Sequence, residues 1–295
     1  MGSLVKELTT RQLIKPPSYV EGSSQYEVQM GSVAYGVAGE SSDIDIYGFC
    51  IPPKDMIFPH LRGIIPGFGR QIQQFEQWQQ HHVDDLDKGK QYDFSVYSIV
   101  KYFQLCMENN PNMIDSLFVP NRCVLFMTPV AQMVREKRHI FLHKGSFYKY
   151  KGYAFSQLHK CRTKNPEGKR VEIIEKFGFD VKFAYHVVRL LLQVEQIMQE
   201  GDLDLERNRE HLKAIRRGDV PLEDIEKWFS EKERQLENLY SESKLRNKPD
   251  EAQIKQLLLD CLEQHYGKLS AAEYSDPDMV QKIIADLKEV VRRYE

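Results

Sequence analysis

Gly31-Ser32-Val33-Ala34-Tyr35-Gly36, followed by Ser41-Ser42-Asp43-Ile44-Asp45-Ile46, leaves the chain few ways to fold locally. It reads as a glycine-led turn, a short helical start and then a strand. On a strand, residues two apart share a face, so Asp43 and Asp45 point one way and Ile44 and Ile46 the other. The isoleucine face can pack on a core. The other face presents two carboxylates, whose mutual repulsion makes burial unfavourable unless a cation joins them. Mg²⁺ suits that pattern, because it takes oxygen ligands and is commonly held by one or two carboxylates together with substrate phosphates.

The rest of the sequence sets bounds on this motif. The 295 residues suffice for one large domain or two ordinary ones. With 41% hydrophobic and 28% charged residues, the chain has the composition of a globular protein rather than a disordered one. A net charge of -2 means that any polyanion site must be a local patch. Cys50, Cys106, Cys123, Cys161 and Cys261 are odd in number and lack CxxC spacing. That argues against a disulfide framework or zinc site and for a reducing compartment. No apolar run approaches the length of a membrane span, and no signal-peptide core is present, so the cytoplasm is the expected location.

Along the chain, a leading helix over residues 4–14 stops at Pro16-Pro17. Strands follow at Tyr26–Met30 and at 43–51, the second closed by Pro52-Pro53. Residues 60–92 read as an irregular excursion, with Gln71 to Gln80 as a strand. The spacing from Ser95 to Met107 is helical and stops at Asn109-Asn110-Pro111. A short helix over 113–118 and a strand over 123–126 follow. Thr128-Pro129 supplies an N-cap and a first-turn proline for a helix to Lys137. The second half reads as helical: Phe179 to Glu200 ending at Gly201, then 207–217, 221–245, 250–266 and 276–295.

Several constellations carry chemistry, each with a plainer counterpart. Gly31 and Ser32 alone make any tight turn. Placed a fixed distance before Asp43 and Asp45, they set a phosphate cradle beside a metal-binding pair, as two-metal phosphoryl transfer requires. Asp93 is the candidate third carboxylate and possible general base; its plainer role is N-cap of the following helix. Glu76 and Asp84 are rivals. On the helix from Phe179, Lys182, His186, Arg189 and Gln193 line one border of the apolar face. They form either a solvated flank or a row of donors for triphosphate or nucleic acid. Between Lys137 and Arg170 stand ten Lys or Arg and one acid, with Phe147, Tyr148, Tyr150, Tyr153 and Phe155 interleaved. That stretch either grips a polynucleotide, through Lys149, Lys151, Lys160, Arg162, Lys164 and Arg170, or is a core helix with its aromatics inward. His81-His82 has no further ligand at a metal-site spacing.

Taken together, GSVAYGVAGESSDIDIYG resembles the signature of the DNA polymerase β-like nucleotidyltransferase superfamily. More narrowly the chain is similar to its RlaP-type branch, nucleotidyltransferases of RNA repair pathways. The likeness continues in YDFSVYSIVKYFQLCMENNPNMIDSLF (92–118), YKGYAFSQLHK (150–160), FGFDVKFAYHVVRLL (177–191) and HLKAIRRGDVPLEDI (211–225). Val33 and Ala34 depart from the more usual polar or basic residues after the GS pair.

The resemblance implies an α+β fold: a small mixed sheet of the polymerase β palm type over residues 1–136, with a helical half over 137–295 closing on it. It implies that Asp43, Asp45 and Asp93 bind Mg²⁺ or Mn²⁺. Gly31, Ser32, Tyr35, Ser42, Lys182, His186 and Arg189 are implied to hold the NTP. The implied reaction moves a nucleoside monophosphate to an acceptor hydroxyl and releases pyrophosphate, with an RNA or tRNA 3′ end as first-choice acceptor. Nucleotidylation of a protein or small molecule uses the same motif. A non-catalytic nucleotide or RNA binder, or a scaffold for a partner protein, would instead show a broken acid set.

Overall fold

The structure, a computed structural model, describes residues 2–39, 43–65, 67–69, 74–163 and 169–267, without the side chains of Arg62, Arg162, Thr163 and Lys169. Ser42, Lys164, the side chain of Arg162 and the helix expected over 276–295 therefore lie outside the described residues.

Five strands, β1 (Ser24–Gln29), β2 (Ile44–Cys50), β3 (Gln77–Asp85), β4 (Lys90–Ser98) and β5 (Val124–Met127), form one sheet in the order β3-β4-β2-β1-β5. β2 and β4 run parallel, and the other neighbours are antiparallel. The helices are α1 (Leu4–Thr10), α2 (Ser18–Ser23), α3 (Gly31–Ala34), α4 (Lys54–Ile57), α5 (Ile99–Met107), α6 (Pro111–Phe118), α7 (Pro129–Glu136), α8 (Gly145–Thr163), α9 (Lys169–Phe177), α10 (Val181–Glu200), α11 (Arg209–Arg217), α12 (Leu222–Glu242) and α13 (Glu251–Tyr266). The protein is thus α+β, with a mixed sheet and a helical second half.

Local signals account for many boundaries. Thr128 caps α7 by accepting from Ala131 N–H, with Pro129 at the first position. Asp180 accepts from Lys182 and Phe183 N–H at the start of α10, which ends at Gly201 in the left-handed region, φ 65°. The helix expected from Ser95 is a correction. β4 continues to Ser98, whose side chain caps α5 by accepting from Lys101 N–H. β4 is buried on both faces from Phe94 to Ser98, and Val96, Ile99, Val100 and Phe103 keep helical spacing across its end, so the apolar pattern does not mark where the strand gives way to the helix.

The sheet separates two cores. On one face Ile46, Phe94 and Val96 pack with Val5, Leu8, Ile14 and Val20 from α1, α2 and the turn between them. On the other, Phe49 and Tyr97 join a large cluster that extends through the helices to Leu262 and includes residues on both sides of position 137. The buried Glu27 carboxylate fastens α1 to β1, accepting from Leu4 N–H at 2.7 Å and Ser24 O–H at 2.7 Å.

Candidate active site

Parity along the sheet decides what faces the helical half. In β2 the residues Ile44, Ile46 and Cys50 pack on the α1–α2 side, so Asp45, Tyr47 and Phe49 point to the other. In β4 the same alternation turns Tyr92, Phe94 and Val96 one way and Asp93, Ser95 and Tyr97 the other. Asp45 is the direct register partner of Asp93. Parallel pairing thus sets two carboxylates side by side at the edge of the large core. Asp93 lies inside a strand and is no helix cap.

The turn before β2 presses on this pair. Gly31 has φ 65°, and a Cβ placed there would overlap Asp45 Oδ2. Only glycine allows the backbone so close to the carboxylate. Met30 N–H donates to Asp45 O at 2.7 Å and locks the turn to the strand. Asp43 is exposed just ahead of β2. Burial pushes the Asp45 carboxyl up to about 6, and the charges of Asp93 and Asp43 push it the same way; His81 and Lys182 oppose them. A cation would relieve this excess of negative charge. Among the described residues no three His, Cys, Asp or Glu side chains converge as a finished metal cage. The oxygen-only donor set fits Mg²⁺, which completes its shell with water and phosphate rather than protein.

A cleft of about 400 Å³ opens beside the acids. Gly31, Ser32, Asp43 and Asp45 form one wall; Lys182 and His186 of α10 and Arg216 of α11 face them. A second chamber of about 220 Å³ shares Gly31, Asp45 and His186 and is lined by Tyr47, Asn112 and Arg189. Burial drives His186 well below the usual imidazole range, and the cations of Arg189, Arg216, Arg170 and Lys182 add to the effect. The ring is neutral at pH 7 and contributes hydrogen bonding rather than charge.

The row of donors on α10 therefore divides. Lys182 and His186 line the cleft. Arg189, which lines the second chamber, and Gln193 join a buried network on Asp115 of α6, a residue no local pattern singles out. Arg189 Nη1 donates to Asp115 Oδ2 at 2.6 Å and to Tyr35 Oη at 2.9 Å. Tyr35 O–H donates to Asp115 Oδ2 at 2.7 Å, and Gln193 Nε2 donates at 3.2 Å. Burial pushes the Asp115 carboxyl up, and the Arg189 guanidinium pulls it back. Tyr35 is buried within this network and, with Arg189, lines the second chamber beside Asp45 rather than the larger cleft.

Arg216 was not singled out by the sequence, although HLKAIRRGDVPLEDI contains it. Its Nη1 donates to Val37 O at 2.7 Å, tying α11 to the segment after the turn. The rival acids stand apart: Glu76 pairs with Lys101 at 3.2 Å, and Asp84 accepts from Gln91 at 2.8 Å.

The basic aromatic stretch is largely spent on the protein itself. α8 buries Phe147, Tyr150, Ala154 and Leu158, while Tyr148, Tyr153 and Phe155 are exposed. Lys149 pairs with Glu108 at 3.5 Å, and Lys151 with Glu233 at 2.7 Å and Glu237 at 3.1 Å. Arg170 is held by Asp180 at 2.6 Å and lies over the Phe183 ring. Lys160 is exposed. Among the described residues no helix is long and apolar enough to cross a membrane.

No curated protein matches the chain. Among solved structures, a nucleotidyltransferase-like protein from Exiguobacterium sibiricum 255-15 aligns over 98% of this chain and 89% of its own, at 8% identity and a TM-score of 0.28. The family RlaP, described as the RNA repair pathway DNA polymerase beta family, matches residues 21–260. On that match the chain belongs to the RlaP family and is a nucleotidyltransferase of the polymerase β type.

Proposed function

We propose that this protein transfers a nucleoside monophosphate from an NTP to a hydroxyl at an RNA end, a tRNA 3′ end among them, and releases pyrophosphate. The observation that carries the reading is the register of Asp45 on Asp93 beneath a glycine turn that touches Asp45. Asp45 and Asp93, with Asp43 at the rim, would hold Mg²⁺ or Mn²⁺. When bound, the ion neutralises phosphate charge and polarises the reacting oxygens. Gly31 and Ser32 bring the backbone against the phosphates, and Lys182 and Arg216 supply positive charge from the opposite wall. The neutral His186 ring can donate or accept one hydrogen bond between the two chambers. The acceptor hydroxyl loses its proton as its oxygen bonds to the α-phosphorus and the bond to the β-phosphate oxygen breaks. Asp93, the register partner of Asp45, is the carboxylate we assign to take that proton.

RNA as acceptor is supported by the family's own description. One observation favours a second reading, a protein or small-molecule acceptor: the lysines and arginine of the basic stretch, where described with an ion pair, face acids of neighbouring elements. The thiols of Cys50, Cys106, Cys123 and Cys261 support a reducing compartment such as the cytoplasm. Incubation with each α-labelled NTP, Mg²⁺ or Mn²⁺, and total RNA or total protein separates the readings. Label is expected on RNA and is expected to vanish in Asp45→Asn. Label on protein alone selects the second reading. Label on no acceptor, or label that survives Asp45→Asn, refutes both.

A further inference from the structure

Opposite Asp93, β3 carries one residue too many. Gln80 pairs with Phe94 and Val83 with Tyr92, so His81 and His82 together face Asp93. His82 takes up the extra length in the left-handed region, φ 55°, a conformation uncommon outside glycine though less so for His. Bulges gather beside functional sites because they re-aim groups that a regular ladder would occupy. Here the group is a backbone N–H. His82 N–H donates to Asp93 Oδ1 at 2.7 Å, and His81 Nδ1 lies 3.7 Å from the same oxygen.

We propose that the bulge at His81-His82 is a positioning device for Asp93, acting through the His82 amide rather than through either imidazole. An aspartate carboxylate turns in a broad torsional well about its last bond. A donor fixed to Oδ1 selects one orientation and leaves the other oxygen to the site shared with Asp45. The backbone supplies that donor because the bulge has freed it from the strand ladder. Partners of ligating carboxylates usually contribute about 10- to 100-fold in metal affinity or activity. The proposal rests on Asp93 serving the nucleotidyl-transfer site, and it adds the residue that holds it.

The register offers a clean test. Deleting His82 removes the bulge while Val83 to Asp85 keep their partners Tyr92, Gln91 and Lys90. Full-length wild type, the deletion, His82→Gly and His81→Ala are compared by Mn²⁺ binding in electron paramagnetic resonance and by steady-state kinetics. His82→Gly keeps the N–H and relieves the left-handed φ, so it is expected within about twofold of wild type. His81→Ala is expected to match it. The deletion is expected to weaken Mn²⁺ binding and lower kcat by about tenfold or more, with the KM for NTP nearly unchanged. Wild-type Mn²⁺ affinity and kcat in the deletion would overturn the proposal, as would a loss in His81→Ala equal to that of the deletion. Hydrogen exchange of the His82 amide reads the contact without catalysis: slow in wild type and fast in Asp93→Ala supports it, and equal rates overturn it. If Mn²⁺ binds wild type and Asp45→Asn alike, the reading of the reaction fails, and the exchange result still decides the contact.

Discussion

Removing Arg189 should harm the fold in a way that acid partly repairs. Asp115 is wholly buried and Arg189 is 5% exposed, with 2.6 Å between their charges. Breaking a buried pair by deleting one partner typically costs about 3–5 kcal/mol, because the survivor is left charged and uncompensated. Arg189→Met keeps the volume and strands the Asp115 carboxylate with its neutral donors Tyr35 and Gln193. Asp115→Leu strands the guanidinium. The double variant strands neither charge, and is expected to cost less than the sum of the singles by at least about 2 kcal/mol.

The pH dependence separates the two single variants. Burial already pushes Asp115 up, and without Arg189 nothing cationic opposes it. A carboxyl whose folded pKa exceeds its unfolded value favours folding at low pH and loses that contribution as pH rises through the folded pKa. The penalty of Arg189→Met should therefore shrink as pH falls from neutrality toward the unfolded carboxyl range. The penalty of Asp115→Leu should not shrink for this reason, since arginine holds its proton throughout. Urea unfolding followed by the fluorescence of Trp78 and Trp228 measures both. Single variants within about 1 kcal/mol of wild type, or an additive double variant, would refute the account of the network.

Three further outcomes follow from the site and the core. Gly31→Ala meets both an unfavourable positive φ, about 1–2 kcal/mol, and the overlap with Asp45, so transfer should fall at least tenfold while the fold survives in circular dichroism. Arg216→Ala should raise the KM for NTP several-fold with a smaller change in kcat, because its charge serves binding from the far wall of the cleft; an unchanged KM would remove it from the site. His143, His186 and His265 are all pushed down by burial, so protons favour the unfolded chain and stability should decline as pH drops through about 6.5; His186→Gln should flatten that decline, and urea midpoints at pH 5.5 and 7.5 report it.

Much of this protein is written in short-range chemistry. The glycine turn, the apolar alternation of β2, the Thr128-Pro129 start of α7 and the Asp180 and Gly201 ends of α10 each depend on residues within one or two turns of one another. The sequence therefore determined those elements unaided, together with the pairing of acids and glycine that marks the family. Tertiary structure alone decided what lies beside what. Asp93 faces Asp45 because two strands far apart in sequence pair in parallel, and no local pattern in either strand names its partner or its register. A helical wheel gives direction but not depth, so Arg189 shares a border with Lys182 yet ends inside the core on Asp115. Lysines that look like a polyanion patch along the chain meet Glu108 at the end of α5 and Glu233 and Glu237 of α12 across the fold. Burial and charge pairing are properties of the assembled chain, which no local pattern contains.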